Sequence, residues 1–274
     1  MIRLAAFDLD GTLMGSDQKI RPQVLEAVTR TQAQGVIVTL ATGRMFDATV
    51  RFARELNITA PLLCYQGGWI QSLDGPVLLR TTLPIALARA AIELGEAEGW
   101  HILLYAEGKL FLKEYLCPIA FYDALLGSGV TVGEPWDAIL ATRDGVDKVL
   151  YIAEPEHIPA MAKVLQPRFA GMAEIMRSHA MFIEVVPLGA DKGSALAWLA
   201  QYYGIPREHV LAAGDQENDI SMIEWAGVGV AMGNAAPSVQ RVADWIAPPV
   251  TEDGAVTILE RYVLNGLPFR ESGL

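Results

Sequence analysis

Four short apolar runs, each closing abruptly on polar or glycine residues, constrain this chain most. Residues 3–8 close on Asp8-Leu9-Asp10-Gly11-Thr12 and residues 36–41 on Thr42-Gly43-Arg44. Residues 61–65 close on Gln66-Gly67-Gly68, and residues 210–213 on Gly214-Asp215. Apolar runs of this length, bounded by turn signals, read as strands buried on both faces. Helical patterns separate them. Residues 22–34 open on Pro22 and end at Gly35, residues 46–56 follow, and residues 190–203 stop at Gly204 and Pro206. Further helices are expected over 219–226, 236–242 and 255–264, and further strands over 228–231 and 245–247. Strand–helix–strand alternation predicts a parallel sheet with right-handed crossovers.

The middle of the chain reads differently. Long helical stretches over 85–98 and 158–169 flank strands expected at 102–105, 110–112, 148–152 and 182–186, with a hairpin-like Glu107-Gly108 turn. That mixture indicates an α+β module with an antiparallel sheet. The expected fold is therefore a doubly wound, Rossmann-like α/β core formed by residues 1–83 and 188–274, interrupted by an inserted module over 84–187.

In open α/β sheets, ligands sit beyond the carboxyl ends of the strands. The four closing segments would gather at that edge, and Lys192, at the head of its helix, would face it. Asp8 and Asp10 are depleted residue types for a strand and costly to bury without a partner. The plain alternative is an Asx turn in which they satisfy local backbone groups. Asp215, Glu217 and Asp219 add acid to the same edge. Carboxylates sharing a site raise one another's pKa, and a hard, oxygen-preferring cation such as Mg²⁺ resolves the conflict. A carboxylate can also serve as a nucleophile toward phosphorus.

With these residues in order, the chain resembles the haloacid-dehalogenase-like superfamily of phosphatases. Asp8-Leu9-Asp10-Gly11-Thr12, Thr42-Gly43-Arg44, Lys192 and Gly214-Asp215-Gln216-Glu217-Asn218-Asp219 match its four motifs. The position of the inserted module resembles the α/β cap of the Cof-type branch, and the stretch 214–232 is similar to bacterial Cof-type sugar-phosphate phosphatases. The resemblance implies a Mg²⁺-dependent hydrolase of small phosphate monoesters, sugar phosphates or phosphorylated cofactors, working through an aspartyl-phosphate. It implies Asp8 as nucleophile and Asp10 as acid and then base. Asp8, the Asp10 carbonyl and Asp215 would hold the metal, and Lys192 would neutralise charge. Leu9, Thr42, Gly43, Arg44, Lys192 and Asn218 would bind phosphate, and Asp219 would orient Lys192 or a metal-bound water. Gln66 departs from the Asn-Gly-Ala-like turn common in that family, and His179 is a minor candidate for substrate contact. A phosphomutase on the same scaffold, or a receiver-like phospho-aspartate protein, is the alternative; a receiver would not need the inserted module.

Composition narrows the partners. The net charge of −11 opposes binding to nucleic acid or anionic membrane. It equally repels a phosphorylated small molecule, so positive charge must be concentrated locally. Two isolated cysteines, Cys64 and Cys117, suit a reducing cytoplasm. No leader peptide or membrane span is expected.

Overall fold

The computed structural model describes residues 1–126 and 130–265, without the side chains of 123–126. The core is a five-stranded, all-parallel sheet. Its order is Trp245–Ile246, Val228–Ala231, Val210–Gly214, Leu4–Phe7, Ile37–Leu40. Residues from the two ends of the chain meet at its centre, where Leu4 to Phe7 register against Val210 to Ala213 on one side and Ile37 to Leu40 on the other.

Alternation along the strands sends neighbouring residues to opposite faces. Ala5 and Phe7 join an apolar cluster with Val24, Val28 and Ile258. Leu4 and Ala6 join another with Leu196, Leu199 and Met222. Helices Pro22–Ala33 and Gly254–Leu259 supply the first cluster; Lys192–Tyr202 and Ile220–Trp225 supply the second. The sheet is thus covered on both faces, which is why its strands read as unbroken apolar runs.

The run expected as a third core strand is placed differently. Leu62–Cys64 packs against the core sheet but pairs with it through a single parallel bridge between Ala41 and Leu63. Its ladder is with Trp69–Gln71, which pairs in turn with Val77–Arg80 in a separate antiparallel sheet. Three apolar residues cannot say which neighbour they will pair with. The expected C-terminal core segment runs to residue 274, and its last nine residues, 266–274, lie outside the described residues.

The middle of the chain forms a six-stranded sheet. Its order is Ala173–His179, Phe182–Pro187, Lys148–Ile152, His101–Ala106, Lys109–Leu112, Val130–Val132. All its pairs are antiparallel except the last. Helices Ile85–Ala97 and Ile158–Phe169 pack on one face, burying Leu104, Val149, Tyr151, Ile183 and Val185. The alternate residues Leu103, Tyr105, Leu150 and Phe182 belong to the cluster that includes the core sheet. One face of this sheet therefore makes the module's own interior, and the other roofs the core.

Candidate active site

Each carboxyl end of the central strands delivers a polar group to one place. Asp8 follows Phe7 directly, Thr42 lies two residues after Leu40, and Asp215 follows Gly214. Lys192 is the first residue of its helix, whose N-cap Asp191 accepts from the Ser194 amide at 2.9 Å. That cap fixes where the helix starts, and so where Lys192 points. Its Nζ lies 2.6 Å from Asp8 Oδ1 and 2.5 Å from Asp219 Oδ1, and both Lys192 and Asp219 are fully buried.

Asp219 is occupied on both oxygens. Oδ1 takes Lys192, while Oδ2 accepts from the backbone amides of Asp215 and Gln216 at 2.8 and 2.9 Å. It thereby holds both the lysine and the loop that carries Asp215. Asp215 Oδ1 accepts from the Thr12 hydroxyl at 3.2 Å, and Oδ2 from Gln216 at 3.0 Å. A Cβ at Gly11 would lie 2.4 Å from Asp215 Oδ2, and Gly11 has φ of +82°. Only glycine serves both the turn and the close approach.

The charges do not balance. Carboxylate oxygens of Asp8, Asp215 and Asp219 all lie within 4.8 Å of one another. Three buried carboxylates face one ammonium. Burial pushes the Asp8 carboxyl well above the usual range; Lys192 opposes this, while Asp219, Asp215 and Asp10 add to it. Burial, reinforced by Asp219, lifts Asp215 to about 7. Burial works to lower the Lys192 ammonium, but Asp219 and Asp8 outweigh it and hold it above its ordinary range. The donor set is all oxygen, with no sulfur or imidazole, which fits a hard divalent cation.

Asp10 lies beyond the end of the strand, which closes at Phe7, so strand alternation does not set its side chain. Instead Asp10 is set by the turn, through a bridge to Met14, and its side chain is half exposed. Arg44 grips it with a two-pronged clamp, Nε to Oδ2 at 2.6 Å and Nη2 to Oδ1 at 2.7 Å. Sequence reasoning aimed Arg44 at substrate; in the structure its guanidinium is spent on Asp10. Thr42 is buried, and its hydroxyl accepts from the Arg44 amide at 3.2 Å. Asp17 and Glu217 are exposed, as solvated charges are.

Asp8, Asp10, Thr42, Arg44 and Asp215 floor a cavity of about 370 Å³ that Gly43 and Asn218 also line. Its roof comes from the middle module: Tyr105, Lys148, Leu150, Ser178, His179, Phe182 and Glu184. His179 is exposed, near the tip of the hairpin joining the last two strands of that sheet, and its Nδ1 accepts from the Met181 amide at 3.2 Å. Leu9 is fully buried, and its carbonyl accepts from the Leu13 and Met14 amides at 3.1 and 3.0 Å.

Lys148 and Glu184 escaped the reading of the sequence. Both are almost fully buried, and Lys148 Nζ donates to Glu184 Oε2 at 2.8 Å and to the Gly43 carbonyl at 3.0 Å. The signal was present: each is a charge inside an apolar strand run, in step with Leu150 and Phe182 on the roof face. Period-2 counting would have separated them from the helix-facing Val149 and Val185.

Comparison with known proteins decides the family. The haloacid dehalogenase-like hydrolase family matches over residues 5–259. The chain belongs to this family. It is 29% identical over 272 residues to the 5-amino-6-(5-phospho-D-ribitylamino)uracil phosphatase YitU of Bacillus subtilis, covering 94% of this chain and 97% of that one. It is 30% identical to an HMP-PP phosphatase of Serratia proteamaculans, over 88% of this chain and 87% of that one. Among solved structures, a haloacid dehalogenase-like hydrolase from Bacteroides thetaiotaomicron matches 95% of this chain and 99% of that one. Its identity is 32% and its TM-score 0.82. This family member is a hydrolase whose parallel core and sheet-rich second module match that solved neighbour. Among the described residues no helix is long and apolar enough to cross a membrane.

Proposed function

We propose that this hydrolase is a Mg²⁺-dependent phosphatase of small phosphate monoesters, sugar phosphates or phosphorylated cofactors, working in the cytoplasm through an aspartyl-phosphate on Asp8. The observation that carries the reading is the buried Asp8–Lys192–Asp219 chain at the cavity floor, beside Asp215 and short of positive charge. The names of the two curated relatives support a small phosphorylated substrate.

In this reading residues 84–187 form a cap whose roof selects the substrate. Asp8, Asp215 and the Asp10 carbonyl would hold Mg²⁺. When bound, the ion neutralises the carboxylates and draws charge from the phosphoryl oxygens. Asp8 attacks phosphorus, and Lys192, held by Asp219, neutralises charge between the carboxylate and the phosphoryl group. Thr42, the Gly43 amide, the Leu9 backbone and Asn218 hold phosphoryl oxygens. Arg44 passes its fork from Asp10 to the phosphoryl group as substrate arrives, leaving Asp10 to protonate the departing alcohol. Asp10 then takes a proton from the water that attacks the aspartyl-phosphate, which frees Asp8 and inorganic phosphate.

The test is phosphate release from a panel of phosphate esters with Mg²⁺ present. Release by the wild type and none by Asp8→Asn is the expected result. Isomerised sugar phosphate without free phosphate would favour a mutase, and turnover by Asp8→Asn would end the assignment of the nucleophile.

A further inference from the structure

The roof and the floor are joined by one buried chain of polar groups, and the order of its hydrogen bonds is forced. Glu184 receives Lys148 on Oε2, and on Oε1 both Ser178 Oγ and Gln66 Nε2, the latter at 3.2 Å. Every neighbour donates to it, as a carboxylate requires. The Gln66 amide nitrogen must therefore face Glu184, which turns its Oε1 the other way. That oxygen accepts from Asn218 Nδ2 at 2.8 Å. The Asn218 amide is thereby fixed in turn, with its nitrogen toward Gln66 and its Oδ1 buried without a protein partner.

The backbone is shaped to keep Gln66 in this place. Tyr65, Gln66 and Gly67 have φ of 51°, 61° and 101°, three successive residues in the left-handed region. For Tyr65 and Gln66 this conformation is strained, and such strain persists only where the surroundings impose it. A Cβ at Gly43 would lie 2.4 Å from Gln66 Nε2, so the missing side chain there makes room for the amide. Gln66 is fully buried. Its arm, one methylene longer than asparagine, is what reaches from Asn218 to Glu184.

We propose that Glu184 and Gln66 are positioning residues: a carboxylate of the middle module sets the orientation of Asn218, and so the donor it offers the phosphoryl group, only while that module is seated on the core. The inference rests on the phosphatase reading above, in which Asn218 binds phosphate. It makes phosphate affinity a report on the seating of the roof, transmitted through two amides.

The experiment measures kcat and KM for p-nitrophenyl phosphate, and the inhibition constant of inorganic phosphate, in Mg²⁺. Gln66→Met keeps the volume and removes the relay. Glu184→Gln keeps the shape but can donate to Gln66, which lets both amides reverse. Each is expected to raise KM and the phosphate inhibition constant together by about tenfold, the factor a lost charged or amide hydrogen bond carries, with a smaller change in kcat. In an Asn218→Ala background both substitutions are expected to be silent, because the group they orient is gone. A packing defect would not vanish there. If Gln66→Met fails to fold, Glu184→Gln alone bears the test. Phosphate inhibition within twofold of wild type in an active variant, or effects that persist beside Asn218→Ala, would overturn the relay. A wild type that neither releases nor binds phosphate would overturn the phosphatase reading and the relay with it.

Discussion

The floor and the roof of the cavity each bury a lysine against carboxylates, and they do so to opposite ends. On the roof, Lys148 and Glu184 pair one to one, and the remaining lone pairs and protons are taken up by Ser178, Gln66 and the Gly43 carbonyl. On the floor, Lys192 divides itself between Asp8 and Asp219, with Asp215 close by. Buried ion pairs repay their desolvation only when geometry and hydrogen bonding are complete. The roof meets that condition within the protein alone. The floor does not, and it is there that the proposed cation and reaction would belong. Charge balance, rather than burial or the presence of a lysine, is what separates the two pairs.

The sharpest way to test that contrast is at Asp8, the proposed nucleophile. Asp8→Asn is nearly isosteric and is expected to lower kcat by about four orders of magnitude or more, the scale set by loss of a reacting group, with circular dichroism unchanged. Retained turnover would return the floor to the status of the roof. Lys192→Met strands Asp8 and Asp219 together, and a denaturant titration is expected to show a loss of about 3–5 kcal/mol, as for any buried pair that loses one partner. Mg²⁺ should recover part of that loss. Lys148→Met is expected to cost a similar amount with no recovery by Mg²⁺, while the Lys148→Met/Glu184→Met double variant should lose less than the sum of its two single variants yet stay below wild type, because Gln66, Ser178 and the Gly43 carbonyl lose their partners. Recovery of Lys148→Met by Mg²⁺ would break the distinction between the two sites.

The smallest expected effect is a pH slope. Asp215 is lifted to about 7 and Asp8 is raised as well, both by burial first. Between the unfolded value near 4 and about 7, the native state binds more protons than the unfolded chain. Stability of the metal-free protein is therefore highest below that window and falls as pH rises through it. Melting temperatures in chelator should decline from pH 4.5 to 7.5, and saturating Mg²⁺ should flatten the decline, because a bound cation favours the ionised carboxylates.

Much of this was readable from the residues because the core obeys local rules. Strands buried on both faces leave apolar runs, helices leave Pro and Gly punctuation, and ligand groups sit where the runs end. Lys148–Ile152, Ile158–Phe169 and Val228–Ala231 fall where periodicity puts them. What stayed hidden depends on partners far along the chain. The pairing of Leu62–Cys64 with a hairpin rather than with the core sheet is a choice of neighbour. Asp10 is set by the turn because the strand stops at Phe7, and a boundary one residue earlier than expected changes which rule governs its side chain. Lys148 and Glu184 went unread, since their meaning lies in a diagonal contact across a register that places Glu184 opposite Leu150.

The pairing of Leu4–Phe7 with Val210–Gly214 has one further consequence, in time rather than space. Lys192 follows Asp8 by 184 residues. On a ribosome adding ~5–20 residues per second, that separation is roughly 10 to 40 s. Throughout it, Leu4–Phe7 has no Val210–Gly214 beside it, and Asp8 has no ammonium to meet. The middle module, by contrast, draws its own apolar interior from residues 83–185, all of them made before Lys192. The roof can be in place before the floor, so Asp8 waits for its ammonium far longer than Lys148 waits for Glu184, 36 residues on.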